Sequence, residues 1–214
     1  MTNPAVERPT EDITLGASFS LEELVKREAL GEMAESFHRL FALPLRVYGE
    51  TGTMLADTSQ PVALFRYLEG SREGRSVVGE MVERVKAAQP GAGESKLLTC
   101  ISGARYHIVA VTYDKRAIGR VILGPFREPG EAMIPGDVLR RVPSLDAAKA
   151  QQLLRELPAH SEASVIAIAE HLCRSLDLIL FSSHRALLTS NMHMASIRES
   201  YRELEEKTAK LQRA

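Results

Sequence analysis

The residues best equipped for chemistry lie in one short stretch, Cys100-Ile101-Ser102-Gly103-Ala104-Arg105-Tyr106-His107. A thiol, a phenol and an imidazole meet there at a strand–turn–strand junction. By alternation along the second strand, His107 shares a face with Val109 and Val111, and Tyr106 shares the other with Ile108 and Ala110. A cysteine and an imidazole beside apolar neighbours can line a small-molecule pocket. Equally, Cys100 can be a small buried hydrophobe, as free cysteines commonly are, with His107 a satisfied, partly buried side chain. The residues alone favour the second role. The other histidines (His38, His160, His171, His184, His193) add no metal site: His184 and His193 are nine apart, and His160 and His171 eleven apart, not the three to five that place two ligands on one helix face. No GxSxG elbow and no glycine-rich phosphate loop is present. Nothing here implies an enzyme or a bound cofactor.

The elements that must position these residues are legible from their punctuation. Residues 1–17 mix Pro, Glu, Thr and Asp without periodicity and read as a flexible leader. Ser20-Leu21-Glu22-Glu23 spells a capping box, and Leu21, Leu24, Val25, Met33, Phe37, Leu40 and Phe41 are expected on one face of a helix of about twenty residues that stops before Pro44. A hairpin follows, with arms at 45–48 and 53–56 around a glycine turn. Short and longer helices are expected at 62–68 and 75–89. Three β runs, 96–101, 106–113 and 118–126, have connections tight enough for an antiparallel meander. Residues 127–144 read as a loop with a short helix around Val138, then a helix at 145–157 ended by Pro158. The predicted fold class is α+β, a PAS- or GAF-like five-stranded antiparallel sheet with flanking helices gathered mainly on one face.

From about Ser161 to Ala214 the chain has no glycine or proline. Leu180, Leu187, Met194 and Tyr201 fall seven apart, and Leu176, Ile197, Leu204 and Leu211 take the partner positions. This is an a/d seam, which predicts a parallel homodimer through a coiled coil. The seam is still running at Ala214, so a downstream output domain is expected beyond it. Some fifty helical residues reach about 75–80 Å.

The chain has 214 residues, 44% hydrophobic and 26% charged, with a formal net charge of −1, the balance of an ordinary globular domain and no electrostatic argument for nucleic acid or an anionic membrane. Two distant cysteines fit a reducing, cytoplasmic setting. There is no signal-peptide pattern and no window of about 20 apolar residues.

Taken in order, several pieces from Leu21 to Phe126 resemble the PocR sensory domain, a PAS-like ligand-binding module of bacterial regulators. They are the Leu-Glu-Glu-Leu start (Leu21 to Leu24), the Leu-Arg-Val strand with its glycine turn (Leu45 to Gly52), and a Phe-x-x-Leu helix (Phe65, Leu68) with Gly74 after it. A Cys-x-x-Gly turn (Cys100, Gly103) and an Ile-Gly-x-x-x-x-Gly strand (Ile118, Gly119, Gly124) complete the set. The resemblance implies a non-catalytic domain that binds a small organic molecule, as relatives do with propanediol-like compounds, and passes the signal on. It places Phe65, Tyr67, Cys100, Tyr106, His107 and Phe126 around a pocket. Two departures stand out: residues 65–67 and 75–77 lack the cysteines relatives often carry there, and Ile101 replaces the usual histidine. The Glu-rich stretch at Tyr201 resembles the helix that precedes a histidine kinase or cyclase domain. The expected organisation is a leader (1–17), a sensor domain (18–158) and a dimerisation helix (159–214). The alternative is a scaffold module with a filled core that recruits a protein partner.

Overall fold

The computed structural model of the chain describes residues 19–130 and 133–212; the expected leader lies outside them. The fold begins at the capping box. Ser20 Oγ accepts from the Glu23 N–H at 3.3 Å, and the Glu23 carboxylate accepts from the Ser20 N–H at 2.8 Å. The helix it starts, α1 (Leu21–Leu24), is a single turn; Val25 and Lys26 are extended before α2 (Arg27–Phe41). The single helix expected there is therefore two. At 3.6 residues per turn, Leu21 and Leu30 lie about half a turn apart on a continuous helix, so one helix could not bury both. The break lets Leu21, Leu24 and Val25 enter the same core as Leu30 and Ala34.

Five antiparallel strands follow: β1 (Leu45–Gly49), β2 (Met54–Asp57), β3 (Ser95–Thr99), β4 (Arg105–Tyr113) and β5 (Arg116–Phe126), in the order β2-β1-β5-β4-β3. β4 and β5 sit centrally and read as near-continuous apolar runs, the mark of strands buried on both faces. Helices accordingly cover both faces, not mainly one. Leu45, Val47, Val121 and Leu123 meet α1, α2 and the first part of α7 (Glu162–Gln212). Leu98, Tyr106, Ile108 and Ile122 meet α3 (Ala63–Leu68), α4 (Arg72–Ala87), α5 (Gly136–Arg141) and α6 (Ala147–Arg155).

Close approach explains one glycine. Where α3 turns into α4, a Cβ on Gly74 would lie 1.8 Å from the Leu68 carbonyl oxygen. Ser71 caps the new helix by accepting from the Gly74 N–H at 3.0 Å.

The segment between α6 and α7 is pinned to the end of β5. Arg127 N–H donates to Pro158 O at 2.8 Å, and His160 N–H donates to Arg127 O at 3.0 Å. The 51-residue α7 then runs about 77 Å. Val165, Ile168, Ala169, Leu172, Leu176 and Leu180 bury its first third against the sheet, with Leu187 partly packed there. The packed unit thus extends well beyond residue 158. The expected seam is divided as well: Leu180 is 0% exposed and faces its own domain, whereas Met194, Ile197, Tyr201, Leu204 and Leu211 stand free. The reason is periodicity. The sheet covers this stripe of apolar residues only as far as it reaches, and beyond it the same stripe stands exposed. Among the described residues no helix is long and apolar enough to cross a membrane.

Candidate functional site

The six expected pocket residues do not converge. β4 alternation sends Tyr106 and His107 to opposite faces, as the pattern required. Cys100 and Tyr106 enter the core beneath α3–α6, with Phe65 and Tyr67 partly buried at its margin. Phe126 enters the core beneath α1, α2 and α7. The turn between β3 and β4 holds Cys100 in place: Cys100 N–H donates to Ala104 O at 2.7 Å and Gly103 N–H donates to Cys100 O at 2.9 Å. Gly103 has φ +84°, where a side chain is strained.

This interior is apolar, and the ionisable groups record it. Burial pushes the Cys100 thiol up to about 12, against a small opposing pull from Arg84. Burial, reinforced by Cys100, raises the Tyr106 phenol well above its ordinary value. A thiol held neutral is a poor nucleophile. His107 is buried, its Nδ1 has no partner among the described residues, and burial lowers its pKa despite the Glu162 carboxylate. Tyr67 is committed elsewhere: its hydroxyl accepts from the Asp146 N–H at 3.3 Å and Lys149 Nζ lies 4.7 Å from its ring centroid.

At one end of the sheet a cavity of about 300 Å³ forms between the C-terminal turn of α2, the start of α3 and the end of α6. Its lining includes Pro44, Pro61, Pro125 and Pro158, drawn from four separate parts of the chain. Proline marks element ends, and here several ends gather at the margin shared by β1 and β5. The rings supply apolar surface, and none offers a backbone donor. The polar groups are few: His38, whose buried Nδ1 has no partner among the described residues, with Gln60 and Glu156. A mostly apolar cavity with a few polar groups is the form of a small-molecule site. The six residues named from the sequence include none of its lining; the scattered prolines were the available signal, but nothing local says that they meet.

The cavity touches the path into α7 twice. Leu157 and Pro158 line it, and Pro158 is tied to Arg127 immediately before α7 begins. On the other side, α2 carries His38 to the cavity and Phe37 to α7, with the Phe37 and His171 ring centroids 5.5 Å apart. Further along, His184 Nδ1 hydrogen-bonds the Tyr113 hydroxyl at the end of β4, and Phe19 packs 4.8 Å from the same imidazole.

Residues 23–184 match the model of a family described as the sensory domain found in PocR. The chain belongs to the PocR sensory domain family. The matched span takes in α5, α6 and the first part of α7, and it ends at His184, where Tyr113 holds the helix to the sheet. The family therefore includes the piece of α7 that completes the core. No curated protein matches the chain. A PocR sensory domain is a sensor, and its place is in signal transduction.

Proposed function

We propose that this PocR sensory domain binds a small, largely apolar molecule in the proline-lined cavity and passes occupancy to α7. The observation that carries the proposal is that one wall of the cavity is the Leu157–Pro158 segment leading directly into that helix. A ligand pressing on Pro158 or on the last turn of α2 acts on a contact that α7 or the segment leading into it makes. The domain is non-catalytic in this proposal, works in the cytoplasm, and reports to an output domain such as a histidine kinase.

The proposed output unit is a homodimer. A parallel partner in register on the seam of Met194 to Leu211 would, further back, meet the space filled by the sheet. Leu178, Phe181, Leu188 and Met192 form a second apolar row, spaced in threes and fours through Arg185, about half a turn from the buried stripe. That outward row is free along the domain and suits a second copy of α7.

The test is a thermal-shift screen of small alcohols, diols, aldehydes and ketones on the whole chain. A ligand should raise the melting temperature, and Val62→Trp, which fills the cavity, should abolish the rise while keeping a cooperative melt. A rise that survives Val62→Trp would sink the site. A second reading, a scaffold module that recruits a protein, is favoured by the apolar side chains that pack around Cys100 and Tyr106; a screen in which no compound shifts the melt would support it.

A further inference from the structure

We propose that Arg120 is the anchor of a separate binding site for a small monocarboxylate, at the end of the sheet opposite the proline-lined cavity. The β1/β5 pair separates the two places: Pro44 and Pro125 line one cavity, Gly49, Ala117 and Gly119 the other. Five residues of strand put them on the order of 17 Å apart.

Arg120 is only 8% exposed, and among the described residues it pairs with no carboxylate. Its Nη2 donates to Lys86 O at 3.2 Å in the last turn of α4, and its guanidinium stacks 5.1 Å from the ring centroid of its cross-strand neighbour Tyr48. Among the described residues its buried Nε has no hydrogen-bond partner. A helix-terminal carbonyl and an aromatic face offset part of the cost of burying a cation, but they engage one of five donors. Arginine cannot relieve the rest by losing its proton. A largely buried charge without a counter-ion is costly, so the residue calls for an anion.

The space for one is present. Arg120 lines a cavity of about 180 Å³ with Gln89 and Pro90 from the loop after α4. The planar guanidinium matches a carboxylate's two oxygens. A single charge on the ligand fits the surroundings. Glu50 lines the same cavity, although Arg116 lies 3.6 Å from it, and the Glu22 carboxylate lies close against Gly49. A dianion such as phosphate would be repelled by both.

Calorimetric titration of the whole chain with sodium pyruvate and with sodium phosphate, at fixed ionic strength, tests the site. Pyruvate should bind saturably with a dissociation constant on the order of millimolar or tighter, and it should move the Arg120 Nε–H signal in a proton–nitrogen NMR spectrum. Arg120→Gln should weaken binding by ~10-fold or more. Glu50→Gln, which leaves Arg120 intact, should tighten it. The absence of a saturable response to pyruvate would overturn the site, as would a response unchanged in Arg120→Gln. Phosphate binding as tightly as pyruvate would overturn the ligand class. Should Arg120→Gln fail to fold, Glu50→Gln decides: unchanged or weaker affinity defeats the proposal. Val62→Trp should leave pyruvate binding intact, so failure here is distinguishable from failure of the proline-lined cavity.

Discussion

Two adjacent residues on α7 are expected to fail in opposite ways. Leu180 is 0% exposed against the sheet, while Phe181 is 58% exposed on the outward row. Leu180→Ala removes a fully buried side chain from a packed core and should cost about 3 kcal/mol through lost transfer energy and the cavity left behind. For a chain of this size that lowers the melting temperature by about 6–12 °C, and the loss should be the same at every protein concentration. Phe181→Ala removes surface that the single chain leaves in water, so its cost to the isolated fold should stay within about 0.5 kcal/mol. It should instead weaken self-association and depress the melting temperature only where the wild type is dimeric. The assay pairs circular-dichroism melts from sub-micromolar to about 50 μM with sedimentation equilibrium across the range where protein dimers of moderate affinity dissociate. If Leu180→Ala proved concentration-dependent, or Phe181→Ala cost the dilute monomer as much as Leu180→Ala, the assignment of the two faces of α7 would be wrong.

Other outcomes are equally definite. Gly74→Ala should lower stability by about 2–3 kcal/mol because its Cβ meets the Leu68 carbonyl; Gly79→Ala in the same helix meets nothing within 4 Å and should add up to about 1 kcal/mol, both read from urea melts. His107 has a folded pKa below its unfolded value, so the unfolded chain takes up its proton first and stability falls as pH drops below the ordinary imidazole range. The slope from this one group cannot exceed about 1.4 kcal/mol per pH unit, and His107→Gln should remove its share from urea melts compared at pH values above and below ~6.5. Cys100, buried with its thiol held near 12, should resist a thiol reagent at about pH 8 in the native protein and react fully once unfolded.

Much of the architecture follows from local residue choice. The Ser20 capping box, the Gly103 turn, the apolar runs of β3 to β5 and the glycine-free α7 each act over a few neighbours, and each lies where the sequence put it within a few residues. The PocR family features belong to this class, since their order along the chain is what identifies them. The split between α1 and α2 departs from the single helix expected there, because Leu21 and Leu30 would fall on opposite sides of one continuous helix. What the sequence could not determine is which surface each apolar stripe meets. Leu176 and Leu204 are equivalent by heptad position, yet one is covered by the sheet and the other is 60% exposed, because the sheet ends between them. The prolines at 44, 61, 125 and 158 are ordinary element ends until the β1/β5 pairing and the α6–α7 connection bring them around one cavity. Arg120 reads as a solvated charge on a strand until α4 closes over it. Periodicity specifies a face, whereas burial depends on partners distant in the chain, and only the tertiary structure chooses them.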